Sequence, residues 1–238
     1  MKLADLAALN EARAKRRTVA VVTPLDGSPG RLVAAADAAS DPLAAELGPR
    51  FASGKSGRVT TDTGDVFIRI HRPAPRLTVI GAVHVTQALA PMATAAGFDV
   101  TIVDPRTAFA TPERFGDFNL LAEWPDADLL ALDDQTAVAT LTHDPKIDDP
   151  AIIAALEAGC FYVGALGSRK THAKRVDRLK EAGFDDEAIG RIHAPIGLPI
   201  GAAAPAEIAV AVLAEIIEAL RKGMTPPPAV RAEKATAA

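Results

Sequence analysis

Two glycines and a serine stand directly ahead of adjacent cations in the stretch Gly164-Ala165-Leu166-Gly167-Ser168-Arg169-Lys170-Thr171-His172. Ser168 reads as the N-cap of a helix running through RKTHAKRVDRLKEAG, with Gly183 as its stop. Gly164 and Gly167 let the chain turn sharply out of the apolar segment FYVGA. Free amides and the positive end of a helix attract anions, and Arg169, Lys170 and His172 add charge where basic residues otherwise oppose the helix dipole. A bound anion relieves that conflict. The spacing is not the phosphate loop G-x-x-x-x-G-K-[ST]. The competing reading is an exposed amphipathic helix, with Val176 and Leu179 buried and Lys174, Arg175 and Arg178 in solvent; it accounts less well for Arg169-Lys170.

Other stretches carry weaker signals. Gly81-Ala82-Val83-His84 follows an apolar strand where a dinucleotide-binding glycine turn belongs, but Val83 takes the place of the glycine that lets a pyrophosphate approach, and Thr86 takes that of the third. Asp104 lies roughly 20 residues further on, where an acid hydrogen-bonds a ribose, or where an Asp-Pro turn caps its own amides. Arg106 beside it binds an anion or lies solvated. Thr142-His143-Asp144-Pro145 sits at the end of another strand, as an acid/base or ligand-binding group or as a loop hydrogen bond. His193-Ala194-Pro195-Ile196-Gly197 opens a loop of two prolines and two glycines among aliphatics, a ligand wall or a structural corner. His84 begins a helix packed on the sheet. Cys160 precedes an aromatic pair inside a strand and reads as core.

These residues need a scaffold, and the periodicity supplies one. Residues 2–16 are helical, Thr18–Val22 is a strand, a second strand lies near Leu32–Ala36, and a helix starts at about Asp41. GRVTTD and DVFIRIH form a hairpin through Thr63-Gly64. Together they make a small α+β unit over 1–75, ending in Arg72-Pro73-Ala74-Pro75-Arg76. Beyond it, strands LTVIG, DVTIVD, FNLL, TAVATLTH, FYVGAL and RIHAPI alternate with helices over Thr86–Ala96, Asp149–Ala158, Arg169–Ala182 and Pro205–Arg221. Such alternation predicts an α/β, doubly wound, Rossmann-like parallel sheet over 76–223. The proline- and alanine-rich tail 224–238 is expected to be mobile. The last helix is apolar around much of its circumference, which suggests deep burial or a homodimer contact.

With 238 residues and 49% hydrophobic content the chain can bury a full core. A net charge of -4 excludes bulk nucleic-acid binding and leaves anion recognition to local clusters such as Arg169, Lys170, Lys174 and Arg175. One cysteine excludes an intrachain disulfide and a multi-cysteine metal site. No secretory signal and no apolar stretch of roughly 18 residues is seen, so no membrane span and a cytoplasmic location are expected.

The blocks VIGAVHV, VDPRTAFATPERF, LTHDPKIDD, FYVGALGSRKTHAKR and RIHAPIGLPIGAAAPAEIAVAVLAEI, in this order between about Leu77 and Gly223, resemble the XdhC/CoxI family. Its members are accessory proteins of molybdenum hydroxylases such as xanthine dehydrogenase and carbon monoxide dehydrogenase. The resemblance implies a Rossmann-type carboxyl domain, binding of molybdenum cofactor (molybdopterin or its dinucleotide form), and delivery to an apo-molybdenum hydroxylase, as a cofactor chaperone rather than a catalyst. Combined with the strand-end residues read above, it puts the expected cofactor near Gly81, Ala82, His84, Asp104, Arg106, Thr142, His143, Asp144, Gly164, Gly167, Ser168, Arg169, Lys170, His193, Pro195 and Gly197. The chain departs from the family in two places. A Ser-Gly-Gly-Cys-Val-Glu segment usual in the amino domain is missing after DGSPGRLV, and Val83 replaces a frequent glycine. A paralogous accessory protein that supplies the cysteine fits the first departure. Two other functions stay open: an NAD(P)-dependent oxidoreductase with His143 or His193 as proton donor, and a non-catalytic interaction subunit.

Overall fold

The computed structural model describes residues 3–222. The chain divides into two compact units, Met1–Pro73 and Ala74–Ala238. The expectation for the tail 224–238 lies outside the described residues.

The first unit begins with helix α1 (Leu3–Ala14), followed by β1 (Val19–Pro24) and β2 (Arg31–Ala34). A 3-10 turn over Ala35–Ser40 and helix α2 (Ala44–Ser53) lead to the hairpin of β3 (Gly57–Thr61) and β4 (Gly64–His71). These form an antiparallel four-stranded sheet in the order β2-β1-β4-β3. Side chains alternate across a strand. Ala20 and Val22 accordingly pack with Ile68 under Leu47 and Phe51 of α2, while Val19 meets Leu9 and Ala12 of α1 on the other face. The second strand ends at Ala34, short of the expected Ala36, because Ala35–Ser40 curls into the 3-10 turn. The following helix starts at Ala44, since Asp41 is engaged in holding the Leu43 amide and Arg31.

The second unit runs β5 (Arg76–Ile80), α3 (His84–Ala95), β6 (Asp99–Val103), α4 (Pro112–Phe115), β7 (Asn119–Leu121), α5 (Ala127–Leu130) and β8 (Thr136–Thr140). It continues with α6 (Pro145–Glu157), β9 (Tyr162–Ala165), α7 (Arg169–Glu181), α8 (Asp186–Gly190), β10 (Ile192–His193) and α9 (Pro205–Lys222). Every neighbour pair of its six-stranded sheet, β10-β9-β8-β5-β6-β7, is parallel. Strand β8 is buried along its whole length, as a parallel strand covered on both faces must be. On one face Leu77, Val79, Ala139 and Tyr162 pack on α3 and α9; on the other Ile80, Val138, Val163 and Ala165 pack on α6, α7 and α8. The chain is therefore α/β, a doubly wound Rossmann-like sheet preceded by a small α+β unit. The order runs outward through β6 and β7 and then returns past β5 to β8, so the sheet reverses between β5 and β8. Ligands of open parallel sheets collect outside the strand ends at such a reversal.

Several boundaries differ from the expectation. Helix α6 begins at Pro145 rather than Asp149, because Asp144 caps it and proline is accepted in the first turn. Helix α3 starts two residues early, at His84. The segment RIHAPI pairs only through Ile192 and His193, since Pro195 has no N–H to extend a ladder.

Candidate functional site

At the reversal, Gly81 leaves β5 with φ +117°, and a Cβ there would lie 2.9 Å from Thr142 Cγ2. Its glycine identity thus allows the exit loops of β5 and β8 to touch. The next amide, of Ala82, donates to Asp104 Oδ2 at 2.8 Å. Arg106 closes on the same carboxylate: its backbone N–H and Nε donate to Oδ1 at 3.0 and 2.9 Å, and Nη2 donates to Oδ2 at 2.8 Å. Asp104 is fully buried. Burial works to raise its pKa, but the bonds from Arg106 and Ala82 outweigh it and hold the carboxyl below its usual range. Asp104 and Arg106 therefore fasten the glycine turn to the end of β6, and both carboxylate oxygens are already taken by the protein. Val83, extended and without a side-chain cap, precedes α3, and His84 stands exposed in its first turn.

Beyond β8, Thr142 Oγ1 donates to Asp148 Oδ1 at 2.7 Å and accepts the Asp144 N–H at 3.1 Å. Asp144 caps α6 by accepting from the Lys146 N–H at 2.9 Å. His143 is exposed, with φ +63°. The expected His143-Asp144 pair does not form among the described residues, because the carboxylate turns back to the helix start. Asp148, one turn into α6, is fully buried and its Oδ2 has no hydrogen-bond partner. The nearest cationic nitrogen is Arg175 Nη2 at 3.9 Å. Burial pushes the Asp148 carboxyl up, against the opposing pull of Thr142 and Arg175.

Ser168 is the N-cap of α7 and accepts the Thr171 N–H at 3.2 Å. Gly167 supplies the turn with φ +138°. Gly164 does not turn the chain. It lies inside β9, and a Cβ there would come within 2.5 Å of Ile196 Cδ1 and 2.6 Å of the Tyr162 hydroxyl, so its need is close packing. Two turns into α7, Arg175 is 2% exposed. It donates to Leu166 O at 3.4 Å through Nη2, while Nε and Nη1 have no hydrogen-bond partner; Nε is 3.8 Å from Asp149. The solvated position that the competing amphipathic reading gave Arg175 is thus corrected: it shares the inward side of α7 with Leu179, facing α6.

A cleft of about 220 Å³ opens above this buried pair. Its walls carry Lys170, Lys174, Arg175 and Arg178, with Thr171, His143 and Pro145 completing them. Arg178 is engaged with Asp149, Nε to Oδ2 at 2.5 Å and Nη2 to Oδ1 at 3.1 Å. Lys170 lines the cleft; Ser168 and Arg169 are exposed beside it and do not. His172 is half-buried, and burial lowers its pKa. A pocket of about 200 Å³ in the first unit includes Arg31, but that guanidinium closes on Asp41.

The loop after β10 belongs to a different cluster, on the α9 face. His193 Nδ1 lies 3.1 Å from Glu215 Oε1, and Glu215 Oε2 accepts from the Tyr162 hydroxyl at 2.5 Å and the Gly197 N–H at 2.8 Å. The His193 and Tyr162 rings pack with centroids 4.6 Å apart. Burial works to raise the Glu215 pKa, yet the bonds from His193, Tyr162 and Gly197 bring it below the usual value. Gly197, at φ +92°, presses on α9 with a Cβ position 3.1 Å from Val212 N. Pro195 is exposed between them. Cys160 is buried in the core with its thiol pushed up to about 12 by burial, as its place before the aromatic pair implies.

The structure thus brings together Thr142, His143, Asp144 and Lys170 with Gly81 at the β5–β8 reversal, and sets His193, Pro195 and Gly197 apart with Glu215. Sequence reasoning missed Asp148 and Glu215, and it named Arg175 in the cationic cluster without its burial. One signal was available: Arg175 precedes Leu179 by four residues, which puts both on one helix face.

A model of the family described as XdhC Rossmann domain matches residues 77–216. The Escherichia coli (strain K12) protein YqeB is 37% identical over 183 residues, covering 73% of this chain and 34% of its own. The molybdenum cofactor insertion chaperone PaoD of the same organism is 36% identical over 145 residues, 61% of this chain and 40% of PaoD. A Bacillus subtilis (strain 168) protein described as a probable xanthine dehydrogenase subunit is 32% identical over 163 residues, 67% of this chain and 47% of its own. The chain spans less than half the length of each of these relatives. A crystal structure described as a xanthine dehydrogenase from Bacillus halodurans superposes with a TM-score of 0.62 at 22% identity, covering 91% of this chain and 66% of that one, and shares the fold. With the family match extending over more than half of its length, along the whole parallel sheet and the helices that bear the cleft, the chain belongs to the XdhC family.

Proposed function

We propose that this chain is a maturation factor for a molybdenum hydroxylase, holding molybdenum cofactor as cargo at the carboxyl edge of its parallel sheet and passing it to the apo-enzyme. The naming of one relative as a molybdenum cofactor insertion chaperone supports the reading. The observation that carries it is the cationic cleft beside the sheet reversal, in which a buried guanidinium keeps two nitrogens unpartnered. A buried charged donor left so is costly unless a ligand completes it.

The residues fit the organic part of the cargo and not its metal. Cys160, the one cysteine, is buried with its thiol held protonated, and no group of metal-ligating side chains gathers among the described residues. The chain therefore grips the cofactor through its phosphate and pterin. Lys170 and Lys174 would neutralise phosphate charge; the Val83 and His84 amides at the start of α3, with Thr142 and His143, would face the polar edges of the ring. A thiolate for the molybdenum would come from another protein, such as a paralogous accessory factor. Molybdopterin ends in a phosphate monoester and its dinucleotide form carries a bridging diphosphate, both of them anions that cationic side chains attract. The carboxylate expected to take a ribose, Asp104, is fully bonded to Ala82 and Arg106, which disfavours nicotinamide dinucleotides.

Among the described residues no helix is long and apolar enough to cross a membrane. The test is mass spectrometry of small molecules released from protein purified out of cells making active molybdenum hydroxylases. A pterin is expected. Its absence, together with no binding in a saturating titration with isolated cofactor, overturns the reading.

A further inference from the structure

The cleft between the start of α6 and the first turns of α7 has a chemistry narrower than that of a general anion site. At about 220 Å³ it is smaller than the ~300–1,000 Å³ of pockets that enclose a whole small molecule, so it takes one end of a ligand or a compact ion. Apart from the His143 imidazole its lining has no aromatic side chain, and it has no branched aliphatic one, to receive a ring. No carboxylate is among the lining residues either: Asp148 is fully buried and tied to Thr142, and Asp149 is bonded to Arg178. Asp144 is occupied as the α6 cap.

The remaining cations are short of negative charge. Lys170 and Lys174 join no ion pair among the described residues, and Arg175 has its carboxylate neighbours only at 3.8 and 3.9 Å, outside hydrogen-bond range. Nε and Nη1 of Arg175 are buried and unpartnered in a wall of the cleft, an observation independent of the helix start beside them. The Nε–H edge of this guanidinium is shared with Nη2, which is turned to Leu166 O, so Nη1 is the nitrogen left to meet an anion on its own. A carboxylate would bring a single charge to two lysines and an arginine. A phosphate monoester brings nearly two charges and a third oxygen for the lysines or for the Thr171 hydroxyl.

We propose that this cleft is a phosphate-monoester site in which Arg175 Nη1 donates to one oxygen, and Lys170, Lys174 and Thr171 surround the others. The site accepts free phosphate or the phosphate end of a larger molecule. It deepens the maturation reading, and rests on it only for what the rest of the ester is. A diester, which has one charge and a blocked oxygen, is excluded, so the site selects the terminal phosphate of molybdopterin over the bridging diphosphate of its dinucleotide form.

The test is titration of the full chain with inorganic phosphate, methyl phosphate and dimethyl phosphate, followed by calorimetry and by the amide and guanidinium N–H resonances. Inorganic and methyl phosphate are expected to bind and to shift the Arg175 Nε–H signal, with dimethyl phosphate at least about tenfold weaker. Arg175→Gln is expected to lose at least about tenfold in phosphate affinity, and the exposed double variant Lys170→Ala/Lys174→Ala, which leaves the fold intact, at least about fivefold. The proposal is overturned if the lysine variant binds phosphate as wild type does, or if dimethyl phosphate matches methyl phosphate. Failure of phosphate to bind while the wild type still retains a pterin overturns this site alone. Phosphate binding with no pterin recovered and none bound in a saturating titration with isolated cofactor upholds the site and removes the maturation reading. Small molecules released from native protein separate the sources, pterin phosphate from inorganic phosphate.

Discussion

Asp104 and Asp148 are two carboxylates buried to the same degree, at the carboxyl side of the same sheet and on either side of its reversal, yet their surroundings are opposites. Asp104 accepts four hydrogen bonds, from Ala82 and Arg106, and its pKa is drawn down despite burial. Asp148 has one short bond, from Thr142, a facing arginine beyond bonding distance, and a pKa driven up. A buried charge that the fold fully satisfies is architecture. One left partly satisfied leaves its facing guanidinium short of partners too, and that guanidinium, in the wall of a cleft, is where a ligand completes the set, since the protein bears the cost in the free state. On the proposed reading, the comparison puts the anion of the cargo on the α6–α7 side of the reversal rather than on Asp104 and Arg106.

The largest effect expected is at the satisfied site. Asp104→Ala removes the acceptor of the Ala82 amide and leaves the Arg106 guanidinium, two-thirds buried, without its partner. Breaking a buried pair costs about 3 kcal/mol, read as a fall in the urea midpoint at unchanged slope. A loss under about 1 kcal/mol would mean that Asp104 is not the fastening it looks to be, and the contrast with Asp148 would fail.

Gly81→Ala strikes the seam between the two sites. A Cβ at φ +117° is strained whatever the space, and here it meets Thr142 Cγ2 at 2.9 Å and the Leu141 carbonyl carbon at 3.4 Å. The expected cost is about 2 kcal/mol. Because Thr142 must move, its bond to Asp148 should lengthen. An amide spectrum in which the shifts reach Asp148 and Arg175, besides Ala82, would show the two sites to be mechanically joined. Shifts confined to residues near Gly81 would separate them.

Much of this scaffold is legible in the residues. Runs such as LTVI and TAVAT, apolar on both faces and alternating with helices, imply central parallel strands, and the glycine, Asp-Pro and Ser168 punctuation marks their carboxyl ends correctly. The edge strands were less legible, since β10 is two residues long and proline stops it. The site was half legible. Thr142, His143 and Lys170 stand where strand-end reasoning puts them, but Arg175 reads as one more cation on a charged helix. Its burial follows from Asp148, which lies far away in sequence on α6, and only the packing of α6 on α7 brings them together. Glu215 was illegible for the same reason: its partners Tyr162, His193 and Gly197 come from separate elements. Local pattern reports which residues begin and end elements, not which charges meet across them.

Thr142→Val sharpens the comparison from the weaker side. It keeps the shape of the side chain and removes the hydroxyl that donates to Asp148 at 2.7 Å and accepts from Asp144. A hydrogen bond to a buried, partly satisfied carboxylate is worth about 1.5 kcal/mol. The expected loss of stability is of that order at neutral pH, and it should shrink when Asp148 is protonated. Phosphate affinity should fall only slightly, because Arg175 and the two lysines are unchanged. A tenfold loss would instead place Thr142 in contact with the anion.

The smallest effect, and the most diagnostic, is the pH dependence of two neutralised variants. Asp104 has a native pKa below its unfolded value of about 3.9. The stability it contributes is therefore complete above that value and is lost as pH falls through the depressed native pKa. Asp148 is displaced the other way. Between its unfolded and raised native pKa the folded state binds more protons, so the penalty of its ionised form is present in full above the native pKa and fades as pH falls toward the unfolded one. Set against wild type in urea titrations from pH 7 to acid, Asp104→Asn should show an advantage of wild type that declines on acidification, and Asp148→Asn a difference that moves in favour of wild type over a higher pH range. Replacing Asp148 also leaves Arg175 less neutralised, but that guanidinium stays protonated throughout, so it adds a constant offset and no slope. Two slopes of the same sign would mean that the carboxylates are equivalent, and the α6–α7 cleft would lose its claim to be the incomplete half of the pair.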